Sequence, residues 1–245
     1  MLVANSVRDL PDVSIRQLFN NDMRGKPATF GIQNIADIGL KQFGVLPGEW
    51  YGINQMSQVM EMLNFQFQPV PNFTICTFQD GGIDMNYVYQ AGTTDLLFVE
   101  DEFQTTNSFH SDDSTMDFKS TRRSKQAEKP DNWKNRVLII VANRFGIKQI
   151  PPEYFPQFKR FMKLKSFAGM IGGKPGLAYY FCGFAEKSVE DGDPLHQVLF
   201  LDPHIVRDSS KSFSCREPRT LHMSQLDPCL SFGFLMRSES DFTEF

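Results

Sequence analysis

The chain is poor in cysteine. Among 245 residues there are four, Cys76, Cys182, Cys215 and Cys229, and no two form a CxxC pair. A long chain with few, scattered thiols reads as one kept reduced, in the cytoplasm, rather than stapled by disulfides. Long apolar runs are missing too. None approaches the ~18 residues a membrane span needs, and the opening Met1-Leu2-Val3-Ala4-Asn5 is too short for a signal-peptide core. Nor is there a basic excess. The 25 Lys and Arg face 29 Asp and Glu, for a formal charge of -4, which argues against nucleic acid as a partner. A GxSxG elbow is absent, which disfavours a serine hydrolase. Gly172-Gly173-Lys174-Pro175-Gly176 is not a phosphate loop, because Ala168 stands where the first Gly belongs and Pro175 follows the Lys. Neither His196 with His204, nor Cys215, His222 and Cys229, has zinc-ligand spacing, so no metal or other cofactor is expected.

What is present is globular in character. Hydrophobic residues make up 41% and charged residues 22%, enough for a substantial core. The 24 phenylalanines suit core filling better than a ligand site. Ile15, Leu18 and Phe19 share one helical face, and Ile32 to Leu40 reads as a second helix ending in glycines. Asn54 is a candidate cap for a third, whose Met56, Val59, Met60 and Leu63 fall at i, i+3, i+4 and i+7. Thr74 to Phe78 alternates as a strand does, and Leu97 to Val99 is another candidate. From 101 to 132 the composition turns to Ser, Thr, Asp and Lys, which predicts a disordered insertion within one domain. Val137 to Ala142 is a continuous apolar run, as in a strand buried on both faces. Tyr154, Phe155, Phe158, Phe161 and Met162 have helical spacing. Leu177 to Phe184, Gln197 to Leu201 and Leu230 to Met236 are strand candidates. Helices lead and strands follow, so the expected class is α+β rather than a doubly wound sheet.

One segment carries a chemical signature. In Leu201-Asp202-Pro203-His204, residues two apart in an extended chain face the same way, so the Asp202 carboxylate can accept a hydrogen bond from the His204 imidazole. That bond fixes the tautomer and stabilises the imidazolium, which suits a His that takes a proton from a thiol or hydroxyl and returns it. The competing reading is a strand ending in an Asp-Pro turn with a surface His. The glycine loop at 172–176 reads as a plain turn or a mobile flap. Trp50, in a glycine-bounded turn, reads as a buried anchor or as a ring gating a cleft.

In order, the segments Pro47-Gly48-Glu49-Trp50-Tyr51-Gly52, Ile171-Gly172-Gly173-Lys174-Pro175, Ala178-Tyr179-Tyr180-Phe181, Leu201-Asp202-Pro203-His204, Ser212-Phe213-Ser214-Cys215, Met223 to Pro228, Gly233-Phe234 and Asp241-Phe242 resemble the autophagins. These are the autophagy cysteine proteases that act on a ubiquitin-like modifier. The match runs from about Ile15 to the C-terminus, interrupted by the insertion. The resemblance implies a papain-like α+β fold, with residues 1–245 as a partial peptidase catalytic domain. It implies cleavage after the C-terminal glycine of the modifier, both to process its precursor and to release it from phosphatidylethanolamine. By the same resemblance, Asp202 and His204 are catalytic. Trp50 is the gating ring, and Lys174, Pro175, Gly176 and Leu177 form the loop that lies against it. The implied partners are the precursor and lipid-conjugated modifier, with at most transient contact with the membranes that carry it.

The chain also departs from the family. The nucleophile in autophagins sits in a Trp-Gly-Cys segment that opens a helix, and these 245 residues contain no such segment. The expectation is a chain truncated before that helix and inactive as it stands. A modifier-binding module without activity, or a non-functional fragment, is the alternative. Ile53 replaces a Pro, and Gln33 a His, found in many members. Asp241-Phe242-Thr243-Glu244-Phe245 is similar to the family's short modifier-binding segments but ends in Phe, and its place in the alignment favours a structural role.

Overall fold

In the computed structural model, the described residues are 2–20, 27–94, 133–174, 176–185, 196–205 and 218–245. The strand candidate Leu97 to Val99, the proposed insertion at 101–132, Pro175 and Ser212 to Cys215 lie outside them.

Four helices precede the first strand: α1 (Leu2–Ser6), α2 (Asp12–Gln17), α3 (Ile32–Phe43) and α4 (Ile53–Phe67). There follow β1 (Phe73–Gln79), α5 (Met85–Thr93), β2 (Arg136–Arg144), α6 (Phe155–Lys163), β3 (Phe167–Lys174), β4 (Leu177–Phe184), β5 (Gln197–Leu201), β6 (Arg219–His222), β7 (Cys229–Met236) and α7 (Glu239–Glu244). The seven strands form one sheet in the order β1-β2-β7-β3-β4-β5-β6. Among the described residues, β1 and β2 pair in parallel and the other neighbours are antiparallel.

The apolar run at Val137 to Ala142 becomes β2, and all six residues are buried. Alternation divides them between two cores. Val137, Ile139 and Val141 join Leu230, Phe232, Phe234 and Met236 of β7 beneath Val88 of α5 and Phe155, Phe158 and Met162 of α6. Leu138 and Ile140 join Phe73 and Ile75 of β1 and Leu235 of β7 beneath Val3 of α1, Ile15 of α2, and Val59 and Leu63 of α4. The sheet is thus covered by helices on both faces, and most of the phenylalanines serve packing. Phe242 and Phe245, in the Asp241 to Phe245 segment, pack against the first core.

Two sequence expectations need correcting. Asn54 does not cap α4. The helix starts at Ile53 with Gly52 at its N-cap, and the Gln55 side chain reaches back to accept the Gly52 N–H at 3.0 Å. Trp50 is no buried anchor, since it is 74% exposed. Its neighbour Tyr51 takes the packing role, donating its hydroxyl to the Ile35 carbonyl of α3 at 3.1 Å.

The edge strand β1 is tied to α4 by a carboxyl. Glu61 accepts the Thr77 N–H at 3.3 Å and also bonds the Thr77 hydroxyl. Burial pushes the Glu61 carboxyl up to about 7, against the opposing pull of the Thr77 side-chain and backbone bonds. A folded-state value above the unfolded one means the contribution is full in acid and is lost as pH rises through 7. Glu61→Gln should therefore gain on the parent as pH rises. Melting curves at pH 5 and pH 8 check this. The expected outcome is a variant-minus-parent melting temperature that becomes more positive at pH 8.

Candidate active site

One end of the sheet collects the residues singled out in the sequence. Lys174 at the end of β3 pairs with Leu177 at the start of β4. Tyr180 pairs with Leu201, so the chain leaving β5 through Asp202 and His204 runs back alongside Tyr179 toward that same end. On α4, Asn64 donates to the carbonyl of Phe73 and Glu61 accepts from Thr77. The helix therefore runs antiparallel to β1, with its N-terminus, and the Trp50 turn before it, toward the end where β1 finishes. Since β1 and β2 are parallel and β2 pairs through Arg144 with Cys229 at the start of β7, that is also the end where β3 finishes and β4 begins.

Asp202 and His204 meet as their spacing predicts. Nδ1 of His204 lies 2.9 Å from Oδ1 of Asp202, and the His204 backbone N–H donates to the same oxygen at 3.0 Å. The contact at Nδ1 assigns the ring proton to that nitrogen, leaving Nε2 as the basic atom. The second oxygen, Oδ2, accepts from Nη1 of Arg219 at 3.3 Å. The Tyr179 ring meets the imidazole edge-on, with centroids 6.2 Å apart and planes at 88°. The Asp202 side chain is 11% exposed and that of His204 44%, so the acid is sheltered while the imidazole reaches solvent. Burial opposes ionisation of Asp202 and is the largest single influence on it. The backbone and ring bonds from His204, with the charges of His204 and Arg219, together outweigh it and hold the carboxyl below its ordinary value.

The glycine segment read as a turn or flap is in part strand: Gly172, Gly173 and Lys174 end β3 and pair with the start of β4. Leu177 is 42% exposed at the tip of this hairpin, and Gly176 has φ of +79°, a left-handed conformation that favours glycine. A Cβ on Gly173 would stand 1.8 Å from the Leu177 carbonyl oxygen, so the two arms meet there with no room for a side chain. The Gly173 carbonyl also accepts the Asp227 N–H at 2.7 Å, anchoring the hairpin to the Leu226-Asp227-Pro228 segment.

The cysteines occupy other places. Cys76 is buried in β1, and burial, aided by the charge of Glu61, pushes its thiol up, the opposite of nucleophilic activation. Cys182 is exposed on β4, with its sulfur 3.6 Å from the Leu199 carbonyl. Cys229 begins β7, 3.7 Å from Nη1 of Arg144. Cys215 is outside the described residues. Among the described residues there is no group of three or more His, Cys, Asp or Glu that could hold a metal, and no helix long and apolar enough to cross a membrane.

Arg219 was not singled out in the sequence. Its place opposite Phe200 depends on pairing between strands at positions 200 and 219, which local patterning does not reveal.

Residues 5–245 match the family model described as the peptidase C54 catalytic domain. The chain is 29% identical over 232 residues to the cysteine protease ATG4A of Bos taurus, covering 89% of this chain and 52% of that protein. It is 29% identical over 228 residues to the cysteine protease ATG4A of Homo sapiens, with coverage of 89% and 52%. Against the cysteine protease atg4da of Danio rerio the figures are 27% over 224 residues, with coverage of 88% and 37%. The chain thus spans about half the length, or less, of the curated relatives it matches.

Because its folded carboxyl lies below the unfolded value, Asp202 contributes stability that is present above the ordinary carboxylate range and lost as pH falls through the folded value. Asp202→Asn should melt below the parent at neutral pH and converge with it in acid. Paired melting curves between pH 7 and pH 3 test this, and a gap that stays constant would count against it.

Proposed function

The chain belongs to the peptidase C54 family, the autophagin cysteine proteases of papain-like α+β fold, and from that premise we propose that it supplies the acid–base half of such a protease's active site. The observation that carries the reading is the 2.9 Å contact between Asp202 and His204 beside an exposed imidazole edge. Asp202 keeps the proton on Nδ1 and stabilises the imidazolium. Nε2 draws the proton from a thiol, and the thiolate attacks the carbonyl carbon of the glycine itself, forming a thioester as the C–N bond to the leaving amine breaks. The imidazolium then returns the proton to the leaving amine, and water completes the turnover with His204 again as base.

The substrate is a ubiquitin-like autophagy modifier, as its precursor and as its phosphatidylethanolamine conjugate. A glycine C-terminus suits a narrow entry between Trp50 and the hairpin at Lys174, Pro175, Gly176 and Leu177. The exposure of Trp50 and Leu177 at the sheet end nearest His204 supports that gating role. The scarcity of cysteine, with no CxxC pair, supports a reducing, cytoplasmic setting. Residues 1–245 act as part of a peptidase catalytic domain, carrying at 101–132 an insertion whose composition predicts disorder.

The thiol is assigned to none of Cys76, Cys182, Cys215 or Cys229. The 245 residues contain no Trp-Gly-Cys segment, and this favours a second reading for them taken alone, a modifier-binding module without turnover. Two experiments separate the readings. The chain by itself should bind the modifier in a pull-down yet leave a modifier precursor uncut. The chain joined to a family Trp-Gly-Cys helix should cut it, and His204→Ala should then lower kcat by several orders of magnitude, on the order of a millionfold in the serine-protease analogue. Undiminished cleavage by that variant would remove His204 from the mechanism.

Trp50→Ala tests the gate. Because the ring is mostly exposed, its loss should change stability by only about 0.5 kcal/mol or less, while kcat/KM in the joined protein falls. A large drop in melting temperature with unchanged kcat/KM would favour a purely structural ring.

A further inference from the structure

Asp202 has two oxygens and, among the described residues, three donors. Oδ1 takes both the backbone N–H and the imidazole of His204. If only Oδ1 were held, the carboxylate could turn about its Cβ–Cγ bond and move the imidazole with it. Arg219 prevents this by donating from Nη1 to Oδ2 at 3.3 Å. With each oxygen held from a different side, the plane of the carboxylate is set.

Arg219 is itself directed. It stands opposite Phe200 in the ladder between β5 and β6, and its guanidinium lies 5.7 Å from the centroid of that ring. Phe200 lies against Tyr179 with centroids 4.5 Å apart, and Tyr179 meets His204 edge-on. One side chain thus reaches both partners of the pair, the carboxylate directly and the imidazole through two rings. The Arg219 side chain is 61% exposed, so this ion pair adds little to global stability. Its effect is on orientation, because the acid it holds is the sheltered member.

Building on the reading of His204 as proton carrier, we propose that Arg219 is a positioning residue for the Asp202–His204 pair, fixing the carboxylate plane and through it the imidazole tautomer. A guanidinium suits the task better than an ammonium, since its flat face can rest on Phe200 while its edge donates to the carboxylate.

The test is an NMR titration of the whole chain, with 13C at the Asp carboxyls and 15N in the His rings, for the parent, R219M and R219K. Methionine keeps an apolar stem over Phe200 and removes the charge and the donor. In R219M the Asp202 titration midpoint should move upward, and the His204 15N shifts should change from one tautomer, protonated at Nδ1, to a mixture, with the melting temperature unchanged. R219K should restore the Asp202 midpoint in part and leave the tautomers mixed. If R219M shows no cooperative melting, R219K carries the test, and a single retained tautomer there overturns the proposal. An unmoved Asp202 midpoint and a single tautomer in a folded R219M also overturn it. Either result leaves the protease reading intact, because that reading fails instead when cleavage survives His204→Ala.

Discussion

The fold depends on a strand with no solvent face. β2 sends alternate side chains into two apolar layers, and its neighbours β1 and β7 must do the same to stay in register with it. A slip of one residue would carry Leu138 and Ile140 into the layer of Phe232 and Phe234, and Ile139 into that of Leu63. Burial on both sides fixes the register of the central strands. The antiparallel partners then carry that register outward, through β3 and β4, to the two short strands at the edge.

The consequence for chemistry is positional. The interior of the sheet is packed with aliphatic and aromatic side chains, and the candidate site residues sit where strands end. Asp202 and His204 follow β5, the hairpin joins β3 to β4, and the Trp50 turn precedes the helix that crosses β1. The best-packed part of the molecule thus acts as a frame. Residues that must reach solvent are carried at its margin, where a backbone can leave the ladder without exposing core.

Much of this was legible in the sequence, for local reasons. Val137 to Ala142, the helix through Val59 and Leu63, and the strands at Leu177, Gln197 and Leu230 are written in short-range apolar patterns. The Asp202–His204 contact was legible because two residues of spacing are enough to create it. What escaped was nonlocal or masked by composition. β3 contains Gly169, Gly172 and Gly173 and reads as a loop, although close approaches by Tyr180, Leu230 and the Leu177 carbonyl are what demand those glycines. The parallel pairing of β1 with β2 joins residues more than sixty positions apart. Trp50 could be read from sequence as anchor or gate because large rings are usually buried, and here it is Tyr51 that packs, against the second core and the Ile35 carbonyl of α3.

The acid and the imidazole are joined within a span of three residues, and one carboxylate oxygen serves both the backbone and the ring of His204. A turn closed by its own side chain is largely self-assembling. The local closure sets the contact at Oδ1, and Arg219 of β6 reaches in from the neighbouring strand to hold the other oxygen. A chain leaving β5 in this way presents a ready-made pair as soon as the strand ends, with the acid sheltered and the imidazole turned to solvent.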